Sequence, residues 1–152
     1  MHPIRRILVT TDFSHYSVAA FEYAFSLADI HNADVHVLHV AEAGSSGQEE
    51  AARKCMQNFI VANVDEFQNV VRAVRTGVPH EEIARYAKEC EVDLIVIATH
   101  GRTGLAHVLM GSVAEKVVRR AAVPVLTVKP AAMLEKLISE DDVREGLHIP
   151  RA

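Results

Sequence analysis

The sequence predicts an α/β domain of the doubly wound class: a five-stranded parallel sheet in the order 3-2-1-4-5, with helices on both faces. Three observations carry that prediction. Short runs rich in β-branched residues alternate with segments of helical spacing along residues 1–130. The fourth such run, Leu94-Ile-Val-Ile-Ala98, has no polar face, as a strand covered on both sides requires. Apolar residues make up 49% of the 152 positions, enough for one core in a domain of common size.

Residues 7–10, Ile-Leu-Val-Thr, are short, branched and flanked by charge, and form the first strand. From residue 17 to about 30, Ala20, Tyr23, Ala24, Leu27 and Ala28 recur at helical intervals, with Ser14 or Ser17 as the N-cap. Residues 34–40 alternate and are rich in valine, which makes a second strand, and Gly44-Ser-Ser-Gly47 is a loop. A second helix runs from Gln48 to about Phe67 on Ala52, Met56, Phe59, Ile60 and Asn63. Residues 70–76 form a third strand. Gly77-Val-Pro79 then turns the chain into a helix that reaches Glu91 through Ile83, Ala84, Tyr86, Ala87 and Cys90. After the fourth strand, which the absence of a polar face makes central, helical spacing returns over residues 112–122 through Val113, Val117 and Val118. Pro124 leads into a fifth strand, residues 125–128.

Composition narrows the function classes. A net charge of −4 gives no general attraction to nucleic acid. The apolar run after the two arginines at 5 and 6 is too short for a signal core, and no stretch approaches the length needed to span a bilayer. Cys55 and Cys90 read as reduced packing thiols. The expectation is a cytoplasmic protein with no membrane or nucleic-acid partner.

In a doubly wound sheet, ligands bind beyond the carboxyl ends of the strands, where the strand order reverses. The segments there are Thr10-Thr11-Asp12, Val40-Ala41 and the stretch from Ala98. That stretch carries Gly101, Gly104 and Gly111 between a buried strand and a helix that begins at Ser112. Glycines let backbone N–H groups approach an anion, and a helix start adds unpaired N–H groups and a positive dipole end. A tight strand-to-helix turn would need glycines as well, so both readings stand on the residues alone.

The sequence resembles the universal stress proteins over about residues 3–130. The resemblance lies in Ile7-Leu-Val-Thr-Thr-Asp-Phe-Ser14, His39-Val40, the glycine loop and the closing Pro124-Val-Leu-Thr-Val-Lys129. In that family's ATP-binding branch the loop reads Gly-x2-Gly-x9-Gly-Ser/Thr. Gly101, Gly111 and Ser112 match its second half, while Ala98 replaces the first glycine and Thr10 stands where many relatives carry proline. Alanine tolerates close approach unless its backbone requires positive φ. The resemblance implies a bound adenine nucleotide (ATP, or AMP/ADP); any magnesium is expected on its phosphates and not on protein side chains. The resemblance assigns Thr11, Asp12 and Val40 to the adenosine end, and Gly101, Arg102, Gly111, Ser112 and Val113 to the ribose-phosphate end. Thr10, Ala98, Thr99, His100 and Gly104 complete the expected cofactor site. The same resemblance further implies a homodimer through the last strand, Val125, Leu126, Thr127 and Val128. Residues 1–130 are then the universal stress protein domain and 131–152 a C-terminal extension, helical by the spacing of residues 131–138. The extension either packs on the partner subunit, regulates access, or is a partly ordered tail.

Alternatives remain at single residues. Asp12 is either a ribose or adenine acceptor or a cap of the following helix. Arg102 is either a phosphate contact or a solvated surface cation, and His100 either a base or a loop-shaping residue. His36 and His39 lie three apart in a strand, so they point to opposite faces and cannot share an ion. There is no Walker loop, and no residue that would orient an attacking water is evident. The chain reads as a nucleotide-dependent sensor or switch for an unknown protein client, with slow hydrolysis at most. A dimeric scaffold that binds no nucleotide is the other class.

Overall fold

The computed structural model describes residues 2–44, 47–63, 69–100 and 110–130. The chain order is β1 (Arg6–Thr10), α1 (His15–His31), β2 (Asp34–Ala41), α2 (Gln48–Asn63), β3 (Val70–Thr76), α3 (Pro79–Glu89), β4 (Leu94–Ala98), α4 (Ser112–Arg120) and β5 (Val125–Val128). The five strands are all parallel in the order β3-β2-β1-β4-β5. β1 holds the middle, and β4 lies inside the sheet between β1 and β5.

Strand periodicity sorts the core into two layers, because successive side chains leave opposite faces. Ile7, Val9, Val35, Val37, Leu94 and Val96 pack with α1 and with Met56 of α2. Leu8, Leu38, Ile95 and Ile97 pack against α3 and α4. Ile7, Leu8, Val9, Ile95 and Val96 are wholly excluded from water, and each such burial stabilises the fold by about 1.5–3 kcal/mol relative to exposure. Continuous branched runs in β1 and β4 therefore reflect cover on both faces.

The helices differ from expectation in phase and in their ends. α1 starts at His15, before the expected residue 17, with Ser14 as its N-cap. Its buried face is Ser17, Ala20, Phe21, Ala24, Phe25 and Ala28, whereas Tyr23, expected inside, is 55% exposed. Because α1 is apolar nearly all round, spacing alone leaves its rotation undetermined. The bulk of Phe21, which packs edge-on against Phe59 at 5.3 Å, decides it. α1 stops at Asn32, which adopts a left-handed conformation while Ala33 N–H returns to the Ala28 carbonyl at 2.9 Å.

α3 begins with Pro79 at its first position but ends at Glu89, short of the expected Glu91. There Glu91 takes a positive φ and Val92 N–H bonds back to the Ala87 carbonyl. α4 ends at Arg120, short of residue 122; Ala114 and Val117 are buried while Val118, expected inside, is exposed. α2 is described to Asn63, so its expected continuation to Phe67 lies outside the described residues. Both cysteines are free thiols; Cys90 is half-buried, but Cys55 is exposed and is not the packing residue expected. Among the described residues, no helix is long and apolar enough to cross a membrane.

Candidate functional site

The chain lays β1, β2 and β3 in one direction across the sheet, then places β4 and β5 on the other side of β1. Two neighbouring strands, β1 and β4, therefore send their following loops apart, and a gap opens between them. A cleft of about 680 Å³ occupies that position, within the usual size of small-molecule sites. From β1 it is lined by Thr10, Thr11 and Asp12, and from β2 by Val40. Ala98, Thr99 and His100 line it after β4, and Gly111, Ser112 and Val113 line it at the start of α4. These ten expected residues, scattered over the sequence, are brought together. Gly101, Arg102 and Gly104, with the rest of the loop to residue 109, lie outside the described residues, as does the 131–152 extension.

The turn after β1 is tightly specified. Thr11 N–H continues the ladder to the Leu38 carbonyl at 3.0 Å. The Thr11 hydroxyl accepts from Phe13 N–H at 2.9 Å and lies 2.8 Å from the Ser17 hydroxyl. Oδ1 of Asp12 accepts from the Ser14 backbone N–H at 3.0 Å and from the Ser14 hydroxyl. This is an Asx turn feeding the helix. Ser14, not Asp12, is the N-cap residue, and its side chain makes no capping bond.

After β4, the Thr99 N–H bonds to the Val128 carbonyl at 2.8 Å, and the Thr99 carbonyl accepts from Gly111 N–H. The Thr99 hydroxyl lies 2.9 Å from His100 Nδ1. His100 is only 4% exposed. Gly111 is the residue before α4, with φ −63° and ψ 155°, a conformation open to any residue. A Cβ on it would lie 2.7 Å from the Thr99 carbonyl oxygen. The fold itself therefore demands glycine here, through backbone crowding instead of positive φ. Ala98 sits in regular strand and is absent from the positive-φ residues, so its side chain costs the local backbone nothing. Ser112 is exposed at the first position of α4, where N–H groups lack intrahelical partners.

Sequence reasoning passed over one wall of the cleft. Gln48, Ala51, Ala52 and Cys55 of α2 line it, and their spacing of three, four and seven marks a single helix face. Phe13 and His39 line it as well. His39 turns toward α1 and α2, with its ring 4.2 Å from that of Phe13 and its Nδ1 2.8 Å from the Thr11 carbonyl. His36 faces the other side of the sheet, with its Nδ1 2.8 Å from the Tyr86 hydroxyl. Burial, helped by the nearby Arg6 charge and opposed by Asp34, holds His36 below the ordinary histidine range. Burial likewise pushes the Tyr86 hydroxyl well up. Among the described residues, no three His, Cys, Asp or Glu side chains gather as a metal site.

The universal stress protein family model matches residues 3–129. The universal stress protein MJ0531 of Methanocaldococcus jannaschii is 30% identical, covering 82% of this chain and 82% of its own length. The solved structure of MJ0577 from the same organism superimposes with a TM-score of 0.73 at 30% identity, over 84% of this chain and 97% of that one. Two further solved universal stress proteins share the fold at lower identity. One, in complex with cAMP, is 22% identical with a TM-score of 0.70, over 86% of this chain and 100% of its own. The other, from Archaeoglobus fulgidus in complex with dAMP, is 21% identical with a TM-score of 0.68, over 84% of this chain and 100% of its own. The family match begins before β1 and ends past β5, taking in all five strands, and the chain belongs to the universal stress protein family.

Proposed function

We propose that the cleft binds an adenine nucleotide, ATP in the cell, and that its occupancy switches the surface offered to a protein client in a stress response. One observation carries this reading. The first turn of α4 and the carboxyl ends of β1, β2 and β4 open into one cleft of about 680 Å³. An anion-favouring helix start thus shares one cleft with a partly apolar wall, the pairing of surfaces that a nucleoside phosphate needs. Asp12 and Val40 serve the adenosine end, with Thr11 fixed in the wall beside them by its hydroxyl and backbone bonds. Ser112 and Val113 serve the phosphate end, joined by Gly101 and Arg102 of the glycine loop. The cAMP and dAMP complexes of proteins sharing this fold lend support. The described residues hold no cluster of metal ligands, so a magnesium ion would ride on the phosphates. No dedicated hydrolytic machinery is invoked, and hydrolysis is slow at most.

In this reading residues 1–130 are the nucleotide-binding domain, residues 131–152 an extension, and the protein a cytoplasmic homodimer. The dimer forms through β5, a sheet edge whose Val125, Leu126 and Thr127 are half-buried in the single chain. A dimeric scaffold without nucleotide is the second reading, favoured by the crowding at Gly111, which explains that glycine with no ligand. Ser112→Glu separates the two. The position is exposed, and an acid in the first turn of α4 favours the helix dipole, so the variant stays folded. Its charge opposes a phosphate. The sensor reading expects ATP affinity to fall by about tenfold or more while adenosine binding is little changed. Equal ATP binding by variant and wild type would remove the phosphate end from α4.

A further inference from the structure

Phe13 is an aromatic residue at φ 65°, in the left-handed region that L side chains rarely adopt. It stands between Asp12 and the N-cap of α1, and three contacts hold it there. Its N–H donates to the Thr11 hydroxyl at 2.9 Å. Its ring lies 4.2 Å from the His39 imidazole, tilted at 34°, and 5.8 Å from Phe59, edge-on. His39 reaches the same turn a second time. Its Nδ1 lies 2.8 Å from the Thr11 carbonyl; a carbonyl can only accept, so Nδ1 carries the proton and donates. With the Leu38 carbonyl already bonded to Thr11 N–H, consecutive residues of β2 hold both backbone polar groups of Thr11 and the ring two residues on.

The consequence falls on Asp12. Reversing the chain at Phe13 brings Ser14 N–H back to Asp12 Oδ1 at 3.0 Å, so the carboxylate's orientation depends on a strained residue outside any regular element. Backbone strain persists only where surrounding contacts over-determine it, and such positions cluster at ligand sites. We propose that Phe13 and His39 are positioning residues. They hold the 11–14 turn in its binding shape before ligand arrives, so that Asp12 meets the nucleoside without reorganisation. This inference rests on the nucleotide reading given above, and it assigns a role to side chains in the cleft wall that need not themselves touch ligand.

The test is a double-mutant cycle on Mg-ATP affinity, with wild type, Phe13→Leu, Asp12→Ala and the double variant, each confirmed folded by circular dichroism. If Phe13 acts through Asp12, Phe13→Leu raises Kd by about tenfold in the wild-type background and by less than about twofold once Asp12 is alanine. His39→Phe, which keeps a ring beside Phe13 but removes the donor to Thr11, gives a smaller loss than His39→Ala. Native-state hydrogen exchange supplies the second readout. The Ser14 amide is protected in ligand-free wild type and exchanges at least tenfold faster in His39→Ala, while core β1 amides are unchanged. Equal Phe13 effects in both backgrounds, with ATP still bound, overturn the positioning role and leave the nucleotide reading standing. Absence of ATP binding by wild type overturns both.

Discussion

Gly111→Ala places a Cβ 2.7 Å from the Thr99 carbonyl oxygen. That oxygen cannot withdraw freely. It accepts from Gly111 N–H, and the same residue's N–H is fixed to Val128 of the neighbouring strand at 2.8 Å. Relief requires the start of α4 to move by about 0.5 Å or more, and overpacking of this kind costs about 1–3 kcal/mol. Alanine also reduces the freedom of the unfolded chain, which returns about 0.4–1 kcal/mol because φ −63° and ψ 155° suit it. The net expectation is a destabilisation centred on about 1.3 kcal/mol, within about 0–2.6 kcal/mol. At this chain length the central value lowers Tm by about 3–5 °C. Urea unfolding followed by circular dichroism measures it, with exposed Ser112→Ala as a control expected within about 0.5 kcal/mol of wild type. If Gly111→Ala matched that control, the crowding would be relieved without cost and glycine at 111 would need another explanation, the ligand foremost. The larger Gly111→Val is unsuited as a probe of binding for the same reason: it perturbs the fold before it perturbs the site.

Tyr86→Phe removes the partner of His36 Nδ1 on a buried histidine; urea unfolding should show a loss of about 1–3 kcal/mol, and no loss would mean the pair is not formed in solution. His36 is held below the ordinary histidine range, so the unfolded chain takes up its proton first as pH falls. Its contribution to stability is therefore complete above about pH 6.5 and is lost as pH drops toward the lower folded value. His36→Gln should flatten the stability profile between about pH 7 and pH 5 relative to wild type. An unchanged slope would contradict the burial of a neutral imidazole. Light scattering should give twice the chain mass, since β5 is an edge of the sheet among the described residues; a monomer at micromolar concentration would count against pairing through Val125–Val128.

Most of the architecture was legible because a parallel sheet covered on both faces writes itself as apolar, branched runs, and β1 and β4 are buried at all but one residue each. The rotation of α1 was not, since Tyr23 and Phe21 are both apolar and only packing against Phe59 separates them. The end of α3 at Glu89 was obscured because the turn that follows uses a non-glycine residue, Glu91, at positive φ. Within the cleft, the residues after the strands were found by the rule that loops at a switch point bind ligands. Gln48, Ala51 and Cys55 escaped because a helix face turned toward a cleft has the same spacing as one turned toward a core. Gly111 was singled out for its missing Cβ, and a Cβ there would meet a backbone carbonyl, a neighbour that spacing does not reveal.

The central claim is that this cleft is an adenine-nucleotide site, and isothermal titration of nucleotide-stripped protein with Mg-ATP, AMP and GTP tests it most directly. The account predicts saturable binding that prefers adenine nucleotides over GTP. No binding at millimolar nucleotide would contradict it, mark Thr10 and Ala98 as signs of a lost site, and leave a dimeric scaffold as the function of the fold.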